Sequence, residues 1–370
     1  MIIFTSICAN YAHKARVLAR SVHAFIPDAT FVLCLTERGI PAALAGEECF
    51  DRIIRSRDMW EGNFDRFIFK HDIVEASTAV KGACFRWLMK TYPAEKDFVY
   101  LDPDCRVYSD LQELREALET APAVVCPHLL HPGNIDMELS STAHGVFNLG
   151  FLAVRNSEEG RRLINWWAER LYLFCYDDIA NGIFTDQKWM DLAPCFFDVR
   201  ILRHYGYDLA IWNLQDTAIE QKDGEWRIQG MLLRFIHFSG FGKVAEDCMD
   251  KWLGEENQGF RELYKAYAAE HAAADTDGIS ATPWSYAAYH SGEPVERKIR
   301  EAYRKNWDVM FSLEDPFARS NRDMAELLGL SIPPGKRIQK KWKTAKRLLQ
   351  EEGAGAVLER IGSKVRRKSE

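Results

Sequence analysis

Along the first 240 residues, short apolar runs alternate with longer segments of helical period. Ile2 to Cys8 is apolar at most positions, the pattern of a strand covered on both faces. Ala15, Leu18, Val22 and Phe25, three or four apart, mark one face of a helix that Pro27-Asp28 ends. Phe31 to Leu35 predicts a second strand. A further helix carries Ile73, Ala76, Val80, Ala83 and Trp87 on one face, stops at Tyr92-Pro93 and feeds the unbroken apolar run Phe98 to Leu101. Ala123 to Cys126, Val146 to Val154 and Leu232 to Phe238 continue the strand series, with a helix from about Glu158 to Phe174. Strand and helix in repetition predict an α/β protein whose mostly parallel, Rossmann-like sheet is joined by crossover helices.

Beyond Gly242 the character changes. Residues 255–273 and 293–312 are charged, aromatic and of helical period, and Ser331-Ile332-Pro333-Pro334-Gly335 marks the start of a basic stretch. Three segments are expected: a main domain over 1–245, a helical appendage over 246–330 and a basic tail over 331–370. The 370 residues carry a formal charge of −6, which argues against a nucleic-acid binder that works through overall basicity. Within that total, residues 336–370 hold 12 lysines and arginines against 4 acids, leaving the rest at −14. Ile338, Trp342, Leu348 and Leu349 interleave with these bases, as in an amphipathic helix on an anionic membrane surface; a solvated helix or a frayed terminus is the alternative. The nine cysteines are scattered without a Cys-x-x-Cys pair, and neither a secretory leader nor an apolar run of membrane-spanning length is visible. Reduced thiols and a cytoplasmic location, peripheral to the membrane, are expected.

Chemistry concentrates in four places. Asp102-Pro103-Asp104 follows an apolar strand at the end where parallel sheets bind ligands, and Pro103 bends the chain so that two carboxylates can converge on a hard divalent cation. The other reading is a turn whose acids only lead into the helix near Asp110. His237, at another strand end, leads through Gly240 to Lys243, which together offer an imidazole ligand, a close backbone approach and a phosphate-neutralising ammonium. His237 is otherwise a core residue with a satisfied ring. Two carboxylates with an imidazole favour Mn²⁺ over Mg²⁺. Thr185-Asp186-Gln187 opens a helix with groups able to bind sugar hydroxyls or simply to cap it, and Asn148 is a polar residue in an apolar stretch that needs a partner.

In this order the motifs resemble those of the GT-A type retaining glycosyltransferases, the family of glycogenin and the bacterial lipopolysaccharide galactosyl- and glucosyltransferases. Cys8-Ala9-Asn10-Tyr11, Tyr100 to Asp104, Phe147 to Gly150, Asp186-Gln187, and His237, Gly240 and Lys243 match its five elements over residues 1–243. The resemblance implies Asp102, Asp104 and His237 as ligands of Mn²⁺ or Mg²⁺, with Gly240 and Lys243 on the diphosphate of a nucleotide-diphospho-sugar. Asn10 and Tyr11 would meet the base, and Lys81 or Arg86 the phosphate or donor sugar. Asn148, Asp186 and Gln187 would line that sugar, with Gln187 nearest the anomeric carbon. It further implies a glycan or lipid-linked acceptor. Leu149 replaces a small polar residue of the family pattern and Val244-Ala245 replaces Pro-Trp, which marks a distant subgroup. Asp-x-Asp phosphohydrolases and non-catalytic nucleotide-sugar binders are the competing readings. The first also place two acids after a strand but keep a different pattern after the second acid; the second would be expected to lose a metal ligand.

Overall fold

The computed structural model describes residues 1–214, 217–254 and 257–330. Seven strands form the central sheet: β1 (Ile2–Ile7), β2 (Thr30–Leu35), β3 (Arg52–Arg55), β4 (Asp97–Leu101), β6 (Ala123–Val125), β7 (Phe151–Arg155) and β8 (Val199–Ile201). Their order is β8-β6-β7-β4-β1-β2-β3, and every neighbouring pair is parallel except the two that involve β7. This is the α/β class with a mostly parallel sheet expected from the apolar runs. β1 is buried at all six positions because helices cover both faces, and α1 (Ala12–Phe25) turns Ala15, Leu18 and Val22 into the same core.

Several boundaries moved. The single helix expected from Ile73 to Trp87 is two helices, α2 (Ile73–Ala79) and α3 (Lys81–Thr91), which meet at Val80; α2 starts from a capping box between Asp72 and Glu75. The run Val146 to Val154 is strand only from Phe151, since Phe147 to Gly150 bends to bond outside the ladder: Asn148 N–H donates to Cys126 O at 3.0 Å and Gly150 O accepts from Asp102 N–H at 2.8 Å. Likewise the last strand, β9 (Phe235–His237), is shorter than the apolar run that predicts it. It pairs antiparallel with β5 (Cys105–Val107), with His237 opposite Cys105.

The chain divides into two compact units, Met1–Ala288 and one that begins at Tyr289. The first runs past the boundary read near residue 245, because α4 (Gln258–Ala274) packs Phe260, Leu263 and Tyr267 into a core shared with Val17 of α1. The second unit, as far as described, gathers Arg297–Lys305, Trp307–Ser312 and Asn321–Leu327, burying among others Ile299, Tyr303, Met310 and Met324. Among the described residues no helix is long and apolar enough to cross a membrane. The basic segment 336–370, expected to lie on a membrane, falls outside the described residues.

Candidate active site

Three chain segments meet at the carboxyl edge of the sheet. β1 and β4 are parallel neighbours, so Cys8 to Tyr11 and Asp102 to Asp104 leave the sheet side by side. β7 runs the other way, and its beginning, Asn148 to Gly150, therefore lies at the same edge. The Asp102-Pro103-Asp104 bend is closed by Cys105 N–H donating to Asp102 O at 2.9 Å. Pairing of β5 with β9, extended by Phe238 N–H to Asp104 O at 2.9 Å, then carries His237 against the two acids.

Ligating atoms of Asp102, Asp104 and His237 all lie within 4.8 Å of one another. His237 Nε2 is 3.2 Å from Asp104 Oδ1 and 3.6 Å from Asp102 Oδ2. Burial works against the His237 imidazolium, but Asp104, Asp208 and Asp102 outweigh it and hold the group up at about 10. Burial would raise Asp104, yet His237 and Lys14 bring it down to about 2. Lys14 Nζ is 3.6 Å from Asp104 Oδ2 and 4.4 Å from the Tyr11 ring centre. A cavity of about 160 Å³ runs from these acids past Asn10 and Tyr11 to Ser77 and Thr78 on α2. Asn10 Oδ1 is buried there without a hydrogen-bond partner among the described residues, while Tyr11 is exposed at the rim.

A second charged centre adjoins the first. Lys81, 2% exposed, places Nζ 3.2 Å from Asp102 Oδ1, 2.9 Å from Asp186 Oδ2 and 3.1 Å from Leu149 O, over the Tyr100 ring. Burial opposes its charge, but Asp102 and Asp186 prevail and raise it well above the ordinary lysine value. Burial raises Asp186 despite Lys81. Tyr100 donates its hydroxyl to Asp102 Oδ1 at 2.5 Å. Gln187, first residue of a one-turn helix (Gln187–Met190), has its amide tied at both ends, accepting from Leu149 N–H at 3.0 Å and donating to His144 O at 3.1 Å.

Asp102, Asp104, His237, Lys81, Asn148 and Asp186 are thus brought together, with Gln187 behind Leu149. Arg86 is not. Five residues beyond Lys81 it faces about 140° away around the helix, is exposed, and pairs with Glu61 at 3.3 Å beside a separate cavity of about 720 Å³ that holds Trp60, Trp87 and Tyr172. That cavity is larger, but it lacks the carboxylate and imidazole cluster, and size alone does not locate chemistry. Lys243 lies on the surface, its side chain 85% exposed and 3.0 Å from Asp247 Oδ1. Gly240 takes a left-handed turn (φ 69°) before it. Lys14, Tyr100 and Asp208 were not foreseen as individual site residues. Lys14 had one usable sign, a base one helical turn beyond Tyr11.

No family model matches the chain. It is 24% identical to the uncharacterized protein YfnD of Bacillus subtilis (strain 168) over 228 residues, covering 54% of this chain and 72% of YfnD. It is 26% identical over 168 residues to the uncharacterized protein YfnF of the same strain, covering 43% of this chain and 54%, about half, of YfnF. Among solved structures it is similar to the galactosyltransferase LgtC in complex with donor and acceptor sugar analogs, at 15% identity over 74% of this chain and 96% of LgtC, TM-score 0.46. Similarity to the glycosyltransferase GlyE of Streptococcus pneumoniae TIGR4 covers 76% of this chain and 65% of GlyE, at 13% identity and TM-score 0.40.

Proposed function

We propose that the chain is a metal-dependent GT-A type glycosyltransferase that moves a hexose from a nucleotide-diphospho-sugar, a UDP-sugar by preference, to a glycan or glycolipid acceptor. The observation that carries this reading is the convergence of Asp102, Asp104 and His237 in the lining of the cavity that also holds Asn10 and Tyr11. The donor set fits a divalent cation. Its atoms stand 3.2 and 3.6 Å apart, against about 3 Å for adjacent ligands of an ion with bonds of about 2.1 Å. Two carboxylates and one imidazole suit Mn²⁺, with Mg²⁺ as the substitute.

Such a cation supplies Lewis-acid stabilisation of a leaving diphosphate. Asn10 and Tyr11 would seat the base, the first with its unpartnered oxygen and the second with its ring. Gly240 and Lys243 would take the diphosphate, Lys243 giving up Asp247 to do so. Lys81 pairs with both Asp102 and Asp186, and with Asn148 and Asp186 it would line the donor sugar. Gln187 is a poor nucleophile and its amide is already engaged, which supports same-face attack with retention of configuration over a covalent intermediate. The proposed role is in bacterial surface polysaccharide synthesis, such as that of lipopolysaccharide, with the 336–370 segment holding a cytoplasmic enzyme against an anionic membrane.

The test is a panel of nucleotide sugars incubated without acceptor, with Mn²⁺ or with EDTA, beside a phosphomonoester control. Slow metal-dependent hydrolysis of one donor class is expected. Hydrolysis of the phosphomonoester, or binding without turnover, would refute the reading.

A further inference from the structure

His237 can give Nε2 to a cation only if its remaining proton sits on Nδ1, and two groups compete to decide that. One is Asn148, whose Nδ2 lies 3.2 Å from Nδ1. Its amide cannot simply turn round, because Asn148 Oδ1 already accepts from Gly150 N–H at 3.0 Å. Asn148 therefore shows Nδ1 a donor and favours the wrong tautomer. The other is Asp208, whose Oδ1 is 3.6 Å from the same nitrogen.

Asp208 is built into this place. It is 1% exposed, and neither carboxylate oxygen has a hydrogen-bond partner among the described residues, His237 Nδ1 at 3.6 Å being just beyond reach. Its backbone is left-handed (φ 51°), a conformation that aspartate tolerates better than most residues. The chain on both sides is fixed: Asp208 O accepts from Asn213 Nδ2 at 3.2 Å, and His237 N–H donates to Leu209 O at 2.8 Å. A carboxylate buried without another partner, clamped by backbone bonds next to one imidazole nitrogen, has that nitrogen as its evident purpose.

We propose that Asp208 is the positioning residue of the metal centre: it accepts a hydrogen bond from Nδ1–H of His237, overrides Asn148 and so presents Nε2 to the cation. The proposal rests on the metal centre proposed above and goes beyond it by naming the group that fixes the ligand's tautomer. Carboxylates behind metal-bound histidines are worth about 10–100-fold in affinity.

The experiment titrates the full chain with Mn²⁺ alone, without nucleotide sugar, by electron paramagnetic resonance. ¹⁵N-histidine NMR of the cation-free protein, at alkaline pH where the ring carries a single proton, reads the tautomer. Asp208→Ala is expected to weaken Mn²⁺ about 10–100-fold and to move the His237 proton to Nε2. Asp208→Asn keeps an acceptor oxygen of the same reach and should retain the wild-type tautomer with a smaller loss. Unchanged Mn²⁺ affinity in both variants would overturn the role. Equal weakening in both with the wild-type tautomer kept would do the same, since that is the mark of a merely structural residue. A wild-type protein that binds no Mn²⁺ would overturn the metal centre itself, a failure visible before any variant is made.

Discussion

Binding of a cation should expel a proton from His237, and the surroundings of the ring set the size of the effect. Asp104, Asp208 and Asp102 hold the cation-free imidazolium up at about 10. At pH 7.5 the proton therefore outcompetes the open ring by about 300-fold, or about 3.4 kcal/mol at 1.36 kcal/mol per pH unit. Mn²⁺ must overcome that amount. Its apparent affinity should rise about tenfold per pH unit from pH 6.5 to 9, with about one proton released per ion. Titration calorimetry in buffers of different ionisation enthalpy measures both. An ordinary histidine, half-protonated near pH 6.5, would instead level off above pH 7. A flat affinity over pH 7–9 with no proton release would refute the reasoning. Linkage fixes the sign for cation-free stability as well. The folded state keeps the His237 proton that the unfolded chain loses near pH 6.5, so this contribution is full below that pH and disappears as pH rises through about 10.

Three substitutions test the surrounding packing. Lys81→Met removes the cation between Asp102 and Asp186 and should cost about 3 kcal/mol in urea unfolding at pH 7.5, and less in acid, since burial raises the Asp186 carboxyl and favours its protonation; a loss that does not shrink with acid would contradict the pairing. Gly150→Ala would put a Cβ 2.3 Å from both Nδ1 and Cε1 of His237. The ring must turn, so Mn²⁺ affinity should fall at least about tenfold, in line with the cost of a displaced coordination environment; full affinity would mean that the ring position does not matter. Gly82→Ala meets Ala168 Cα at 2.7 Å instead, forcing α3 away from the helix Glu158–Phe174, and should lower stability by about 1–3 kcal/mol, read as a drop in Tm.

The sheet was legible where burial is complete. β1, β2 and β4 are apolar runs covered on both faces, and their signal does not depend on partners. The two strands of the central sheet that the pattern does not reveal, Arg52–Arg55 and Val199–Ile201, are its edges; they are short, carry arginines and owe their form to one neighbour each. The break at Val80 was invisible because Ile73, Ala76, Val80 and Ala83 keep helical spacing across it. In the site, Asp102, Asp104 and His237 were readable since strand ends of a parallel sheet are where ligands collect. Arg86 shares its helix with Lys81, and the spacing of five residues turns it about 140° away from the carboxylates. Asp208 was missed for a different reason: it belongs to no motif, and only the bridge between Leu209 and Ile236 brings it to His237. A carboxylate set among Tyr207, Leu209, Ala210 and Ile211 was the one available sign.

The most direct measurement compares wild type with Asp104→Ala for hydrolysis of a UDP-sugar in saturating Mn²⁺, circular dichroism confirming that both are folded. Loss of one charged ligand from the cluster should reduce turnover by about 10²–10³-fold or more, the usual scale for removing transition-state charge stabilisation, and leave little difference between Mn²⁺ and EDTA. An Asp104→Ala protein that turns over the donor at the wild-type rate would contradict the central claim that Asp102, Asp104 and His237 hold the cation on which the chemistry depends.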